Sequence, residues 1–590
     1  MRRLFVMLHL VFLLAFPLVA QQTPVSLDPT LLPGRTIFYL AWHGAPSPDV
    51  RHANAIMGLW DDPDSAELRN SFVQSMLNDA KKQNAKSPLT KEELNDYATL
   101  LDNPLIIGYL PRPADLAAAK PAPASGTSKA APASTPPAWN GMFFVYDRSG
   151  KEAILSKAVL RLGASETDTP KLTNLTVAGV PALKIERKDN VTYWAETGKY
   201  AIAAGELPVF EEMLNRTAGT SKSPSLAESS AYLEAKPLLS GGIVELFLRI
   251  SQLSDTASES AASNPQLKLL IKNLKLESLH VLAGHLSLEG AKTRVQGAIL
   301  GDTSAGTLFD IWADGKTNPD AMSFVSTNTV SFNSSEINFL GIYKVLKQAL
   351  LVSSADAPQM VVALESAAQT RLGMTLPDAL SLTTGEISSI QDNASLDDSQ
   401  QIRILGIRNK PDALKLMRTI EGDKITSEHN DGTTTYMKVS LGGTQGSAGI
   451  AQWNFYHVAV TPDFLLGASK SEPIRALVAQ QAGNSNAGVP KNILSARSRF
   501  PDKLNGFSYF DFQKVDWPAA RDRWIAEAKT GAAKTTAQKD KNSASSSENY
   551  KKFSDWLATV DPAVFPRHLH SMTGASWKDA TGVHFDEWIE

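Results

Sequence analysis

Cysteine is absent from this sequence of 590 residues. Its absence excludes disulfides, thiolate metal sites, cysteine nucleophiles and lipid attachment at a cysteine behind a signal peptide. Small secreted domains of eukaryotes usually depend on disulfides, because their cores are too small to be stable alone. An exported chain without cysteine is therefore more typical of the bacterial envelope.

A strong excess of charge of one sign is also missing. The 58 basic and 61 acidic side chains leave a formal net charge of −3. Nucleic acids and anionic membrane surfaces attract proteins that carry large basic patches. The balance of charge therefore argues against either of them as the main partner. The apolar fraction of 43% is ordinary for a globular protein.

An apolar run lies near the N-terminus, over residues 4–16. It follows the basic start Met1–Arg3 and ends shortly before Ala20, a small residue that suits a cleavage site. This three-part pattern predicts a signal peptide over residues 1–20. The run is short for a membrane span, so we expect cleavage, with an uncleaved anchor as the alternative. The mature chain should begin at Gln21 and be periplasmic or extracellular, with no membrane span.

The motifs of well-known enzyme classes are missing. The sequence has no GxSxG nucleophile elbow, no SxxK motif and no HExxH zinc motif. It also has no glycine-rich turn between a strand and a helix of the kind that binds nucleotides. The tripeptide Lys529–Gly531 matches a fragment of penicillin-binding proteins but stands alone in a polar stretch. We therefore predict a protein that is not an enzyme, with no catalytic residue and no cofactor.

Three histidines near the C-terminus are the best candidates for a metal site, namely His568, His570 and His584. If His568 and His570 occupy one strand, they share a face, and a zinc site that includes His584 is conceivable. However, His570 matches His280 in the repeat described next, whereas the other two have no counterpart. This pattern favours a structural strand position, and we predict no metal ligand among them.

An internal repeat is the most informative feature of the sequence. Tyr193–Gly219 aligns with Tyr456–Gly483, without a gap over most of its length, and Leu279–Ala291 resembles Leu569–Ala580. Weaker matches follow in the same order along both halves of the chain. Self-similarity at this spacing is the signature of a duplicated structural unit. The alternative is two unrelated domains with generic strand and helix patterns.

The matches predict two repeats of an α+β unit, over residues 30–315 and 316–590. The sequence has many strand patterns but no regular strand–helix–strand units. This predicts mainly antiparallel sheets flanked by helices. Two polar, alanine-rich stretches lack the apolar content to pack. We therefore expect a disordered insertion at 111–138 in the first repeat and a mobile insertion at 529–550 in the second.

Several short motifs carry a resemblance to a known group of proteins. They are the signal peptide, the first strand Leu32–Thr36 (LPGRT), the segment Leu382–Ile387 (LTTGEI) and the repeated strand at Lys199–Ala204 and Phe464–Ser469. Together they resemble exported bacterial envelope proteins built on a duplicated domain of unknown function. The first repeat departs from the pattern, since Asn103–Leu105 stands where LTTGEI would fall. The resemblance implies an envelope location and supplies no activity.

These observations favour an exported, non-catalytic envelope protein with a binding or scaffolding role. One alternative is a periplasmic carrier of an apolar ligand or lipid, and another is a hydrolase with an active site that matches no motif. The expected partner is an envelope protein, a polysaccharide or an apolar ligand, and not nucleic acid. A carrier should contain a continuous apolar cavity. A scaffold should show filled cores and an exposed apolar patch, and a hydrolase should show clustered titratable groups in a cleft.

Overall fold

A computed structural model describes residues 28–590 apart from 67–68, 71–89, 111–140, 163–170, 188–189, 253–268, 270–271, 305, 352–355, 398–399, 441–456, 484–488, 538–553 and 556. The predicted signal peptide and the predicted insertion at 111–138 lie outside the described residues. The chain divides into two compact units. The first contains Met1–Asp61, Ala66–Leu253 and Val281–Ala291, and the second contains Asp62–Ser65, Ser254–His280 and Lys292–Glu590.

The first unit is built on strands in which all neighbours are antiparallel. They are β1 (Phe38–Trp42), β2 (Leu105–Tyr109), β3 (Met142–Asp147), β4 (Lys171–Val177), β5 (Val180–Arg187), β6 (Asn190–Thr197), β7 (Tyr200–Ala204), β8 (Val244–Arg249) and β9 (Leu279–Glu289). Their order across the sheet is β4-β5-β6-β7-β3-β2-β1-β8-β9. Consecutive strands β4 to β7 form a meander.

Helices of the first unit pack against this sheet. They are α1 (Pro48–Ala53), α2 (Ala55–Asp61), α3 (Lys91–Ala98), α4 (Glu152–Leu162), α5 (Leu207–Thr217) and α6 (Ser230–Ala235). α5 begins with a proline in its first turn, where the missing N–H costs nothing. It buries Val209, Phe210, Met213 and Leu214, which follow the helical period and face β6 and β7. Phe210 stacks on Tyr193 of β6 with ring centres 5.8 Å apart.

The second unit is also built on strands with antiparallel neighbours. They are β10 (Lys292–Gly301), β11 (Ser331–Glu336), β12 (Thr383–Gln391), β13 (Ile402–Ile407), β14 (Ile425–Asp431), β15 (Thr434–Val439), β16 (His457–Val460), β17 (Phe464–Ala468), β18 (Gly506–Asp511), β19 (Ser571–Lys578) and β20 (Gly582–Ile589). Their order is β14-β15-β16-β17-β13-β12-β11-β18-β19-β20-β10. Both units thus have the predicted α+β class.

The boundary between the compact units differs from the predicted boundary between the repeats. Residues 292–315 fall in the first predicted repeat but in the second compact unit. The reason is that β10 pairs with β20 from Thr293 to Leu300. Contacts made by such a long ladder cannot be located from the sequence of either strand alone.

Helices of the second unit include one that enters a predicted mobile insertion. The helices are α7 (Phe339–Leu351), α8 (Ala357–Leu372), α9 (Leu376–Ser381), α10 (Lys410–Glu421), α11 (Ser471–Gly483), α12 (Lys491–Arg497), α13 (Trp517–Ala537) and α14 (Val564–His568). α13 continues through residues 529–537, the start of the predicted insertion at 529–550, and the following residues 538–550 lie outside the described part. Alanine and lysine favour helix, so the polar composition was a poor guide there.

The core of the second unit lies against its central strands. Its fully buried side chains include Phe332, Ile404, Leu466 and Phe507, and α11 and α12 add Ile474 and Ile493. Within the described residues, no helix is both long enough and apolar enough to cross a membrane.

Candidate functional site

The three C-terminal histidines each have a different partner. His568 is the last residue of α14 and His570 precedes β19, so the prediction that they share a strand face is wrong. His568 lies 2.7 Å from Asp62, His570 lies 3.1 Å from Gln513, and His584 lies 3.1 Å from Asp579. Within the described ranges, no three acidic or histidine side chains are grouped to hold a metal ion.

Asp62 is the centre of a charged cluster in the second unit. Its carboxylate accepts hydrogen bonds from His568 Nε2 at 2.7 Å, from Arg567 Nη1 at 2.8 Å and from the Asp64 backbone N–H at 2.9 Å. Burial raises the pKa of Asp62, but the hydrogen bonds from His568, Asp64 and Arg567 outweigh it and lower that pKa to about 2. The cluster therefore joins the turn at Pro63–Ser65 to α14 and has the character of a structural contact.

The segment LTTGEI contains a buried carboxylate, Glu386, near the start of β12. Glu386 is 2% exposed, and its two oxygens accept the backbone N–H groups of Asp320 and Ala321, each at 2.9 Å. The hydroxyls of Ser388 and Ser334 donate to it at 3.1 Å and 3.3 Å. Glu386 therefore anchors the short 3₁₀ helix Asp320–Phe324 to the sheet, which is a structural role.

The backbone conformation at position 385, in the same segment, requires glycine. Its φ of +93° is a conformation that residues with a side chain rarely adopt. A Cβ atom there would lie 2.4 Å from the carbonyl oxygen of Ile337. The glycine and the glutamate of LTTGEI are thus explained by packing, without a ligand.

A cleft of about 800 Å³ opens beside this segment in the second unit. Its wall includes Trp312, Glu336, Thr383, Arg408 and Lys578. The Arg408 and Lys578 side chains donate to the backbone carbonyls of Thr383 and Trp312. Burial raises the pKa of Glu336, although Lys316 lies 3.4 Å away and opposes the shift. Charged groups of both signs and one indole ring make this wall mixed in character.

A second cleft, of about 720 Å³, lies in the first unit. Its wall is made by the residues before β1, by α5, by the loop between α5 and α6 and by the end of β8. Hydroxyl and charged side chains dominate this wall: Arg35, Glu212, Ser223, Ser225, Glu228, Ser229, Ser230, Arg249 and Ser251. Charged side chains interrupt the lining of both clefts, which is unlike the continuous apolar cavity of a lipid carrier.

Arg249 differs from the other charged residues of this cleft. Arg35 is paired with Glu212 through two hydrogen bonds of 2.7 Å and 3.2 Å, and Glu228 accepts the Ser225 backbone N–H at 2.7 Å. Arg249 donates only to neutral acceptors among the described residues, the Gly34 carbonyl at 3.0 Å and Gln252 Oε1 at 3.1 Å. Burial alone lowers the pKa of its guanidinium.

A buried polar cluster lies on the sheet of the first unit. His43 is 5% exposed, and its Nε2 lies 3.0 Å from Glu245 Oε1 without the alignment of a hydrogen bond. The Tyr39 hydroxyl donates to the same carboxylate at 3.4 Å. Burial and the nearby Glu245 raise the pKa of Tyr39 and raise that of Tyr232 to about 12. Both phenols therefore stay protonated at neutral pH, and the Tyr39 hydroxyl is a hydrogen-bond donor to Glu245.

Exposed apolar side chains are concentrated on two helices of the second unit. The described residues leave eleven large apolar side chains exposed, and six of them lie on α7 and α8: Leu346, Leu350, Leu351, Met360, Val362 and Leu364. We call these six residues the α7–α8 surface. The two helices are held side by side by Glu365, which accepts hydrogen bonds from Tyr343 and Lys347.

Comparison with known proteins gives no match of any kind. No protein-family model, no curated protein and no solved structure matches this chain. The comparisons therefore provide no evidence that the chain belongs to a catalytic family. The features that sequence reasoning missed, Arg249 and the α7–α8 surface, depend on burial and on pairing between distant residues. Of these two features, only the α7–α8 surface has a signal in the sequence, which is the low charge of residues 357–372.

Proposed function

We propose that this protein is an exported, non-catalytic scaffolding protein of the bacterial envelope that associates with a second copy of itself through the α7–α8 surface. The exposure of that surface is the observation that carries the proposal. Its six side chains are between 37% and 65% exposed. They leave on the order of 500 Å² of apolar surface in water, an amount typical of functional patches on monomers.

The spacing of these side chains suits packing against another helix. Leu346 and Leu350 are four residues apart on α7, and so are Met360 and Leu364 on α8. Residues four apart lie one above the other, so each pair forms an apolar stripe along its helix. Ala363 and Ala367 are also exposed on α8, and small residues allow a second helix to approach closely.

The charge of the surface favours a second copy as the partner. α7 has two charged residues, Lys344 and Lys347, and α8 has two over Ala357–Leu372. Lys347 binds Glu365 of α8 at 2.6 Å, so these two charges are paired. An anionic membrane would be expected to face a cluster of basic residues instead. A two-fold interface brings a surface against itself, and a nearly uncharged surface can do so without repulsion. Two copies together would bury on the order of 1,000 Å², the lower bound for a specific interface.

The two alternatives have less support from the geometry. A carrier of an apolar ligand needs a continuous apolar cavity, whereas charged side chains interrupt the lining of the two clefts described above. A hydrolase needs its reacting groups together, whereas His568, His570 and His584 each contact a different partner. Envelope location rests on the sequence alone, on the signal-peptide pattern of residues 1–20.

We also propose that the chain arose by duplication of one α+β unit. The strand order β4-β5-β6-β7-β3-β2-β1-β8-β9 corresponds, strand for strand, to β14-β15-β16-β17-β13-β12-β11-β18-β19. The segments Tyr193–Gly219 and Tyr456–Gly483 both form strand, strand and helix in that order. α5 and α11 start 264 positions apart, at Leu207 and Ser471, which is the offset of the sequence match.

Self-association can be tested by measuring molar mass in solution. The mature chain should form a dimer in size-exclusion chromatography with light scattering, and the dimer should dissociate on dilution. The double variant L346E/L364E should be monomeric, because it places two carboxylates in each copy of the interface. The control L233E changes a leucine of α6 that is 53% exposed and should leave the dimer intact.

Three results would contradict the proposal. The first is a wild-type chain that stays monomeric at high concentration, and the second is a double variant that still dimerises. The third is binding to anionic vesicles that the double variant loses while the molar mass of both proteins stays that of a monomer. That last result would assign the α7–α8 surface to a membrane instead.

A further inference from the structure

The serine-rich cleft of the first unit contains an arginine, Arg249, that has no anionic partner among the described residues. We propose that this cleft binds the oxyanion group of a small polar ligand, a carboxylate or a phosphate, at the guanidinium of Arg249. The proposal is independent of self-association, because the α7–α8 surface belongs to the other compact unit. It rests on the contacts of Arg249, on the surrounding charges and on the size and lining of the cleft.

Arg249 has donors left over after its contacts are counted. A guanidinium carries five N–H donors. Contacts with the described residues use two of them, for the Gly34 carbonyl at 3.0 Å and for Gln252 at 3.1 Å. Its Nε is buried and has no hydrogen-bond partner among the described residues. Arg249 is half-buried, and a charge that is partly removed from water is stabilised by a counter-charge. A bound oxyanion would supply the missing counter-charge together with acceptors for the spare donors.

The other charged groups near the cleft are already engaged. Glu212 accepts two hydrogen bonds from Arg35 and one from the Ser223 hydroxyl at 3.1 Å. Arg216 is 5% exposed and binds the carbonyl oxygens of Ser223 and Pro224. These contacts fix the loop that forms one wall, so Glu212 is not free to neutralise Arg249. Burial lowers the pKa of the Arg216 guanidinium, as it does for Arg249.

The backbone around Arg249 is held in place on both sides. Its own N–H donates to the Ile37 carbonyl at 2.7 Å as β8 pairs with β1. Gly34, which accepts from the side chain, has its N–H bonded to the Pro224 carbonyl at 2.9 Å. A Cβ atom on Gly34 would lie 2.9 Å from that same oxygen, so the close approach requires glycine. The guanidinium is therefore supported by fixed backbone groups, as a binding residue needs to be.

The lining of the cleft indicates the class of ligand. Five serines line it, and serine hydroxyls can donate to an oxyanion or accept from a ligand hydroxyl. The volume of about 720 Å³ is within the range of small-molecule sites and exceeds what a single phosphate fills. The ligand is therefore expected to be a hydrophilic molecule that carries a carboxylate or phosphate group. Arg249 would hold that group bidentately, as guanidinium groups hold both kinds of anion.

Binding can be measured by calorimetry on the mature chain with two probes, inorganic phosphate and succinate. Each titration is done at constant ionic strength with chloride as the reference anion. The wild-type chain should bind at least one probe with a stoichiometry of one. The variant R249Q should bind it about tenfold more weakly or worse, because a hydrogen bond to a charged group is worth a tenfold change in affinity or more. A preference between the probes then identifies the anion as phosphate or carboxylate.

Two further variants make the test specific. R408Q removes an exposed arginine from the second unit and should leave binding unchanged. S251A keeps Arg249 and removes one hydroxyl of the cleft, so binding should weaken by about threefold, even if R249Q proves too unstable to measure. The proposal is overturned if neither probe binds above the chloride reference. It is also overturned if R249Q, when folded, binds as tightly as wild type, or if S251A has no effect and R408Q abolishes binding.

Discussion

Replacing Glu386 by glutamine should destabilise the second unit by removing one negative charge from its interior. The carboxylate is 2% exposed, and one of its oxygens accepts from Ala321, Ser388 and Ser334. The other oxygen accepts the Asp320 N–H at 2.9 Å and lies 3.5 Å from Lys316 Nζ. The glutamine amide would keep its oxygen where three donors converge, because the reverse orientation loses all three bonds. Its NH₂ group would then face the Asp320 N–H and Lys316, which are both donors.

The size of the effect follows from these contacts. The variant loses one hydrogen bond between a backbone N–H and a charged acceptor, and such bonds contribute about 1.5–3 kcal/mol. It also leaves a buried donor without an acceptor and removes a carboxylate from beside Lys316. That lysine is 30% exposed, so water compensates for part of the lost ion pair. We expect the free energy of unfolding to fall by about 2–4 kcal/mol.

Urea unfolding and hydrogen exchange together test this expectation. E386Q should lower the urea midpoint of the second unit without a change of slope. It should also speed the amide exchange of the turn Asp320–Phe324, which Glu386 anchors. The control D314N changes a carboxylate whose side chain is 98% exposed and should cost less than about 0.5 kcal/mol. The reasoning is refuted if E386Q is as stable as D314N and the amides of Asp320 and Ala321 exchange at the wild-type rate.

Two further predictions concern Asp62 and the N-terminus. The pKa of Asp62 is lowered from 3.8 to about 2 in the folded protein, so the stability gained from its ionisation is present above pH 4 and lost as the pH falls towards 2. D62N should lower the free energy of unfolding by on the order of 1 kcal/mol at pH 7, a value that allows for solvent screening at the half-exposed Arg567. It should also reduce the loss of stability that the wild-type protein shows below pH 4. An unchanged loss of stability in that pH range would contradict this. N-terminal sequencing of the exported protein should begin at Gln21, whereas an intact Met1 in the membrane fraction would indicate an uncleaved anchor.

Local features of the fold could be predicted well from the sequence. Pro208 and apolar residues with a period of 3.6 predict a helix over residues 207–217, and α5 has the same bounds. The spacing of Thr90 and Glu93 predicts a capping box, and both of its hydrogen bonds are present. Each of these features depends on residues close together in the chain. The interactions that produce this helix and this capping box therefore lie within a short stretch of the sequence.

Features that depend on distant residues could not be predicted in the same way. Arg249 and Gly34 are 215 positions apart, and nothing in either segment signals that the other lies beside it. His568 and His570 were expected on one strand from their spacing of two. A short helix with Pro566 as its third residue ends at His568 instead, and His568 is held by Asp62, 506 positions earlier in the chain. Such contacts follow from the packing of whole elements, which local patterns do not encode.

His280 and His570 allow the proposed duplication to be examined at one pair of matched residues. The match of sequence predicts that both are structural residues, since a duplicated fold repeats its packing positions whereas catalysis seldom needs the same residue twice. β9 and β19 hold corresponding places in the two strand orders. His280 is the second residue of β9, whereas His570 precedes the first residue of β19.

The backbone of His570 has a structural role, while its side chain is exposed. Its backbone N–H donates to the Glu590 carbonyl at 2.6 Å, its carbonyl accepts the Phe512 N–H at 2.9 Å, and its ring lies against Gln513. These bonds join the start of β19 to the end of β20 and to the residues after β18. A histidine whose backbone closes the sheet and whose ring meets a neutral amide has a structural reason to be there.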